Sequence, residues 1–125
     1  MNKQELFRRY EEGERDFTGV NLREVNLRNA DLIGASLQGA LLNKSNLSAA
    51  KLIGANLRSA ILNGANLSKA GLRGANLIEA SLHDANLLDA DLSRANLSRA
   101  EITPSQLAMA RSLDGATLPD GRKHE

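Results

Sequence analysis

Residues 75–89 read Ala75-Asn76-Leu77-Ile78-Glu79, Ala80-Ser81-Leu82-His83-Asp84, Ala85-Asn86-Leu87-Leu88-Asp89. A small residue, a short polar residue, a leucine and two free positions make one unit. The unit recurs without a gap from Phe17 to Ile102. A step of five turns a helical side chain by about 140°, so on an α-helix the leucines would spiral around the rod. On an extended strand an odd step sends successive leucines to opposite faces. Both arrangements leave half of them in water. A very short extended piece followed by a corner does not. The small residue and the leucine, two apart, then share a face, the polar residue between them points away, and the last two residues turn the chain. Repeated corners wind such a chain into a coil lined with leucine. The fold class is an all-β solenoid.

The number of units per coil is also written in the sequence. Leu32-Ile33-Gly34-Ala35 returns twenty residues later as Leu52-Ile53-Gly54-Ala55, and again as Leu72-Arg73-Gly74-Ala75. Ala40-Leu41-Leu42-Asn43 returns as Ala60-Ile61-Leu62-Asn63. Four units per coil give a square cross-section, with residues twenty apart stacked as parallel strands about 4.8 Å apart. The inward columns are then Phe17/Leu37/Leu57/Leu77/Leu97, Leu22/Leu42/Leu62/Leu82/Ile102, Leu27/Leu47/Leu67/Leu87 and Leu32/Leu52/Leu72/Leu92. The outward ladder Asn26/Asn46/Asn66/Asn86 is expected to hydrogen-bond from coil to coil. Glycine at the second free position (Gly34, Gly54, Gly74) predicts type II turns along one edge, and the other corners need not share that geometry.

These units resemble the pentapeptide-repeat proteins, whose motif is A(N/D)LXX. The resemblance runs without a break over residues 15–102. The flanks, Gly13-Glu14-Arg15-Asp16-Phe17 and Leu113-Asp114-Gly115-Ala116-Thr117-Leu118-Pro119-Asp120-Gly121, are similar to those of short cyanobacterial members. The departures are Val20, Val25 and Ser45 for Ala, Phe17 for Leu, and Leu41, Lys51, Ile61 and Gly71 where Asn or Asp is usual. The resemblance implies a right-handed quadrilateral parallel β-helix.

Both ends predict short α-helical caps, because a solenoid leaves an open edge of leucines and unpaired strand. Residues 1–14 form the N-terminal helical cap, with Asn2 as N-cap, Glu5 three later, Leu6, Phe7 and Tyr10 as an apolar stripe and Gly13 as the stop. Residues 15–102 form the β-helix. Residues 103–118 form the C-terminal cap and edge strand. There Thr103 is the N-cap, Pro104 the first helical residue, Leu107, Ala110 and Leu113 the apolar spacing, and Ala116-Thr117-Leu118 a strand on the last edge. Residues 119–125 form a frayed tail.

Sixteen Lys and Arg against fifteen Asp and Glu leave a net charge of +1, so no global field recruits nucleic acid or a membrane. Absence of cysteine removes thiol chemistry and disulfides and fits a cytoplasmic setting. No apolar run reaches membrane-spanning length. Between Ala35 and Gly74 the charged residues are Lys44, Lys51, Arg58, Lys69 and Arg73, with no acid. On the square coil they fall on all four sides, with no aromatic between them, which argues against direct nucleic-acid binding. His83, at a corner, and His124, in the tail, have no metal-ligand company. Asp84, Asp89 and Asp91 point from three sides, and no nucleophile–base set or phosphate-binding loop is present. A convex rod with a filled lumen offers no pocket. No catalysis, cofactor or metal is expected.

What remains is binding. One outward column reads Asn21, Leu41, Ile61, Ser81. Leu41 and Ile61 stand where the unit normally places a polar residue, and with Asn43 and Asn63 beside them they are the candidate contact for an unidentified protein partner. Ile33 and Ile53 make a similar pair at the opposite corner. With both ends covered, a monomer is expected. The resemblance offers an alternative, a DNA mimic that interacts with a topoisomerase such as gyrase. Mimicry requires an anionic rod, and Phe17–Ile102 carries nine bases and seven acids.

Overall fold

The short polar residue of each unit is the one that pairs. In a computed structural model describing residues 1–125, Asn21 bridges Leu41, Leu41 bridges Ile61, Ile61 bridges Ser81 and Ser81 bridges Glu101, all in parallel and all twenty residues apart. Three further series, starting at Asp16, Asn26 and Asp31, step by the same twenty. Hydrogen bonds run both ways from each unit. The Leu62 N–H donates to the Ser81 carbonyl of the next coil (2.7 Å), and the Ile61 N–H donates to the Ala40 carbonyl of the coil before (3.0 Å).

Between bridges the chain turns. The Ala65 N–H closes onto the Leu62 carbonyl (3.0 Å), and the same bond recurs unit after unit. Every fifth residue from Gly19 to Arg99 has positive φ, while the residue before it does not. That combination is a type II turn. Gly34, Gly54 and Gly74, at φ 71°, 66° and 66°, behave as their sequence predicts. The other corners adopt the same geometry, although eleven of them, including Ala49, Ser59 and Glu79, are not glycine. A left-handed residue costs about 1–2 kcal/mol. The ladder above and below each corner leaves no other path, so packing overrides local preference.

The inward leucines fill the coil. Phe17 and every leucine of the four columns from Leu22 to Leu97 are buried, with the alanines of each unit packed between them. The lumen accepts little besides Leu and Ala, which accounts for a domain with 2% aromatic residues.

Helix α1 (Lys3–Glu11) precedes the first coil. The Asn2 side chain accepts from the Glu5 N–H (2.9 Å), and Gly13 takes φ 95° after the helix ends. Leu6 is wholly buried in the core cluster, with Phe7 and Tyr10 packed beside it. The Tyr10 hydroxyl donates to the Ile33 carbonyl (2.8 Å) on the outer edge of the first coil.

The other end differs from the expectation. Helix α2 (Pro104–Ala108) starts as the sequence indicates, with Thr103 and Gln106 exchanging side-chain-to-backbone bonds in a capping box. It lasts only five residues, and the coil then resumes. Ser112 bridges Asp91 and Thr117 bridges Asn96, now twenty-one residues apart. Leu113 and Leu118 therefore extend the Leu92 and Leu97 columns and do not form a helical stripe. The last segment is not frayed either. Thr117 pairs with Lys123 in antiparallel fashion, and the His124 N–H donates to the Ala116 carbonyl (2.7 Å). The Gly121 turn folds the tail back and pairs the outermost strand edge.

Candidate functional site

The outward position favours Asn and Asp for a local reason. Asn66 Oδ1 accepts the N–H of Ser68 (3.0 Å), and Asn21, Asn26, Asp31, Asn46, Asn56, Asn76, Asn86, Asp91 and Asn96 do the same for the residue two on. Each is an Asx-turn that satisfies the first corner N–H. The asparagine carbonyls are thus used within their own units, and the Asn26/Asn46/Asn66/Asn86 ladder makes no side-chain bonds from coil to coil.

Leu41 and Ile61 cannot make this bond. The structure places them side by side on consecutive coils, with Asn43 and Asn63 stacked at the adjoining corner, where the Lys44 N–H donates to the Asn63 carbonyl (2.9 Å). The Asn43 and Asn63 N–H groups have no acceptor. All four predicted contact residues are therefore neighbours. Their availability is uneven, because Leu41 and Ile61 are half-buried. Asn63 Oδ1 is engaged with its own fold, accepting from the Ser81 hydroxyl (2.6 Å) and the His83 N–H (3.1 Å). Asn43 Oδ1 is buried without a partner. Ile33 and Ile53, at 39% and 44% exposure, show more apolar surface, as do Leu88 (44%) and Met109 (48%).

Charges on the coil are paired where they meet. Arg58 and Arg99 both reach Glu79 (3.4 and 3.7 Å), which removes Arg58 from the basic belt. His83 Nε2 lies against Glu101 Oε2, so this histidine has a carboxylate partner that its sequence neighbours do not reveal. The Ser93 hydroxyl (2.7 Å) holds the Asp91 carboxyl below the usual carboxylate range, opposed by partial burial and helped by the Ser93 N–H and Arg111. No three His, Asp or Glu side chains, Asp84, Asp89 and Asp91 included, gather to hold a metal ion. No helix is long and apolar enough to cross a membrane.

The sequence reading missed the hollows at the ends of the rod. Where α2 swings away from the coil it leaves a groove of about 610 Å³ lined by His83, Asp84, Ala85, Asn86, Glu101, Ile102, Thr103 and Gln106. A smaller one, about 350 Å³, lies beside Phe7 and Tyr10 of α1. Thr103-Pro104 signals the interruption, and Ala116-Thr117-Leu118-Pro119-Asp120 signals that the repeat returns after it. Read together, the two imply a gap in the wall.

Stacked coils of twenty residues, outward Asx-turns and a Leu/Ala lumen define a solenoid repeat protein. A model of pentapeptide repeats matches residues 16–48, 42–77 and 71–103, so the chain belongs to the pentapeptide-repeat family. Among solved structures it is similar to HetL, a pentapeptide repeat protein involved in heterocyst differentiation regulation from the cyanobacterium Nostoc sp. strain PCC 7120. The two share 36% identity over 87% of this chain and 64% of that one, with a TM-score of 0.52. This chain therefore spans less than two thirds of HetL. A pentapeptide repeat protein, Rfr23, from the cyanobacterium Cyanothece 51142 is 28% identical over 98% of both chains, with a TM-score of 0.48. QnrB1, a plasmid-mediated fluoroquinolone resistance protein, is 18% identical over 84% of this chain and 60% of its own, with a TM-score of 0.57, and shares the fold. No curated protein matches the chain.

Proposed function

We propose that this chain is a non-catalytic protein-binding module, a monomeric rod that contacts an unidentified partner through the side bearing Leu41, Ile61, Asn43 and Asn63. The observation that carries this reading is the stacked aliphatic pair that stands in place of two Asx-turns. At Leu41 and Ile61 the chain gives up the bond that Asn or Asp makes in other units, as it does at Lys51 and Gly71, but only here in favour of two aliphatic side chains on consecutive coils of one side. An asparagine would serve the fold better at both positions, so the aliphatic side chains answer to something outside it. In this reading the coil is a right-handed quadrilateral β-helix, α1 with residues 1–14 closes one end, and α2 with the resumed coil through residue 118 and the tail closes the other. A cytoplasmic setting belongs to the same proposal. The topoisomerase-mimic alternative is disfavoured by the nine bases and seven acids of Phe17–Ile102, since a DNA mimic must be anionic.

The test is affinity capture from the source cell with the wild type and with Leu41→Asn, Ile61→Asn in parallel. The double variant should melt at or above the wild-type temperature, because each Asn restores a corner bond, while capture of the wild-type partner falls. Undiminished capture would reduce this side to mere surface. Inhibition of gyrase supercoiling by the wild type would favour the mimic.

A further inference from the structure

Another pair of consecutive coils also lacks its Asx-turns. Two units along from Leu41 and Ile61 the outward series reads Asp31, Lys51, Gly71, Asp91, each bridged to the next. At both ends of this series a carboxylate oxygen takes the first corner N–H. Asp31 Oδ1 accepts from Ile33 (3.2 Å) and Asp91 Oδ1 accepts from Ser93 (3.0 Å). In the two middle coils that oxygen is missing, and the Ile53 and Arg73 N–H groups have no acceptor within the protein. Both residues are exposed, so nothing in the fold covers them. Gly71 also leaves room where the oxygen belongs, since a Cβ there would meet nothing nearer than 3.9 Å.

The charges beside this gap are of one sign. Lys51 stands one coil before Gly71, Lys69 two residues before it and Arg73 two residues after it. All three are exposed, and none is in an ion pair. Three of the five bases between Ala35 and Gly74 thus gather around one outward position. Lys69 also borders a hollow of about 250 Å³ that it shares with Arg28, Ser48, Asn66 and Ser68, and no acid lines it. The acids of this side come with the adjoining coils, Asp31 before Lys51, and Asp89 and Asp91 after Lys69 and Gly71. Asp91 is engaged by the Ser93 hydroxyl (2.7 Å) and by Arg111 (3.5 Å). These acids bound the basic place along the rod, so a long polyanion laid over it would meet carboxylates at either end.

We propose that this side takes up an acidic segment of a protein partner. One carboxylate of the segment fills the gap at Gly71 and accepts from the Arg73 N–H, as Asp31 and Asp91 accept at their own corners, with Lys51, Lys69 and Arg73 around it. A second carboxylate lies in the hollow between Arg28 and Lys69. This inference rests on the binding-module reading but uses a different side, so each fails separately. The probe is a blocked Gly-Asp-Gly-Asp-Gly peptide, with Gly-Asn-Gly-Asn-Gly as its counterpart, followed through the backbone amide resonances.

In the free protein the Arg73 amide should exchange roughly tenfold or more faster than that of Ser93, whose N–H is bonded. The Asp peptide should shift the Arg73 resonance and slow its exchange, and the Asn peptide should do neither. Gly71→Asn should supply the missing oxygen from within, leave the melting temperature at or above that of the wild type, and abolish the response of Arg73 without changing any charge. Lys51→Gln with Lys69→Gln should weaken the Asp peptide several-fold and leave amide shifts in the distant coils unchanged. Leu41→Asn, Ile61→Asn should leave the titration untouched. Undiminished binding by Gly71→Asn, equal binding of the Asn peptide, silence of Arg73 toward the Asp peptide, or a larger response to inorganic phosphate or to a single-stranded oligonucleotide would each overturn the proposal.

Discussion

Leu62→Ala probes the coil at its most regular point. Leu62 has no exposed surface, and Leu42 and Leu82, one coil before and one after, are as enclosed. Removing three carbons at about 0.8 kcal/mol each forfeits roughly 2.4 kcal/mol of burial. The cavity adds to this because its walls cannot close. Leu42 is fixed through its N–H to Ile61 O (2.8 Å), and the Leu62 backbone is fixed to Ser81 O (2.7 Å). A total of about 3–5 kcal/mol is expected. Leu113→Ala, in the resumed coil and only half-buried, should cost about 1–2 kcal/mol by the same accounting. Urea unfolding followed by circular dichroism measures both, with m-values compared because coils that touch only their neighbours can lose cooperativity. Equal costs, or a greater cost at Leu113, would refute the stacking argument. Position along the rod alone would rank Leu22 below Leu62, but Leu22 is also fully buried, so Leu22→Ala should match Leu62→Ala.

Glycine substitutions should divide by backbone, not by space. Gly64→Ala places a Cβ at φ 70° and 3.2 Å from Lys44 Cγ and should cost about 1–2 kcal/mol, whereas Gly71→Ala, with negative φ and nothing nearer than 3.9 Å, should be neutral or mildly stabilising in thermal melts. Ala49→Gly should raise stability by about 0.5–1 kcal/mol by relieving a left-handed alanine at φ 57°, and a loss would show that chain entropy outweighs strain there. Asp91 has its carboxyl held low by Ser93, so its contribution is complete above the unfolded pKa and disappears as pH falls through the lowered folded value. Melting temperature scanned from about pH 6 to about pH 2 should drop on the acid side, and Ser93→Ala should shrink that drop. An unchanged acid limb in Ser93→Ala would count against the bond. Gln106→Ala strips donors from the Leu82 and Ala85 carbonyls and should cost about 1–3 kcal/mol, with hydrogen exchange rising first around residues 82–90.

The coil was legible because one spacing encodes it redundantly. Each leucine reports the same inward direction, so Val20, Val25, Ser45 and Phe17 do not blur the period. The corners were legible only at Gly34, Gly54 and Gly74. Residues such as Glu79 and Ala49 carry no turn preference of their own, and their positive φ is imposed by the ladders on either side. The role of the outward asparagines was misread because ladder and Asx-turn use the same residue type, and only coordinates show that Oδ1 reaches two residues along the chain. Past Thr103 two patterns overlap. Leu107, Ala110 and Leu113 read as a helical stripe, although Leu113 belongs to the unit Arg111-Ser112-Leu113-Asp114-Gly115. The extra residue that makes the step twenty-one hides that unit from a search at twenty. The candidate side was legible as a composition anomaly. Its half-burial and the engagement of Asn63 depend on neighbours twenty residues away, and the groove depends on a helix whose length the sequence does not state.

The twenty-residue step has a bearing on how such a chain could change over time. Each coil meets the next through the same bridges and hydrogen bonds twenty residues on, so a coil inserted or excised from the middle leaves every junction equivalent in position to one already present. Deleting residues 45–64, for example, sets Lys44 against Ala65, reproducing the Gly64–Ala65 connection and the column beneath it. Nothing in the coil itself counts how many copies there should be. The repeat is interrupted only at α1 on one end and at the twenty-one-residue step through α2 on the other. Duplication and loss in the gene can thus lengthen or shorten the rod while both ends keep their own chemistry.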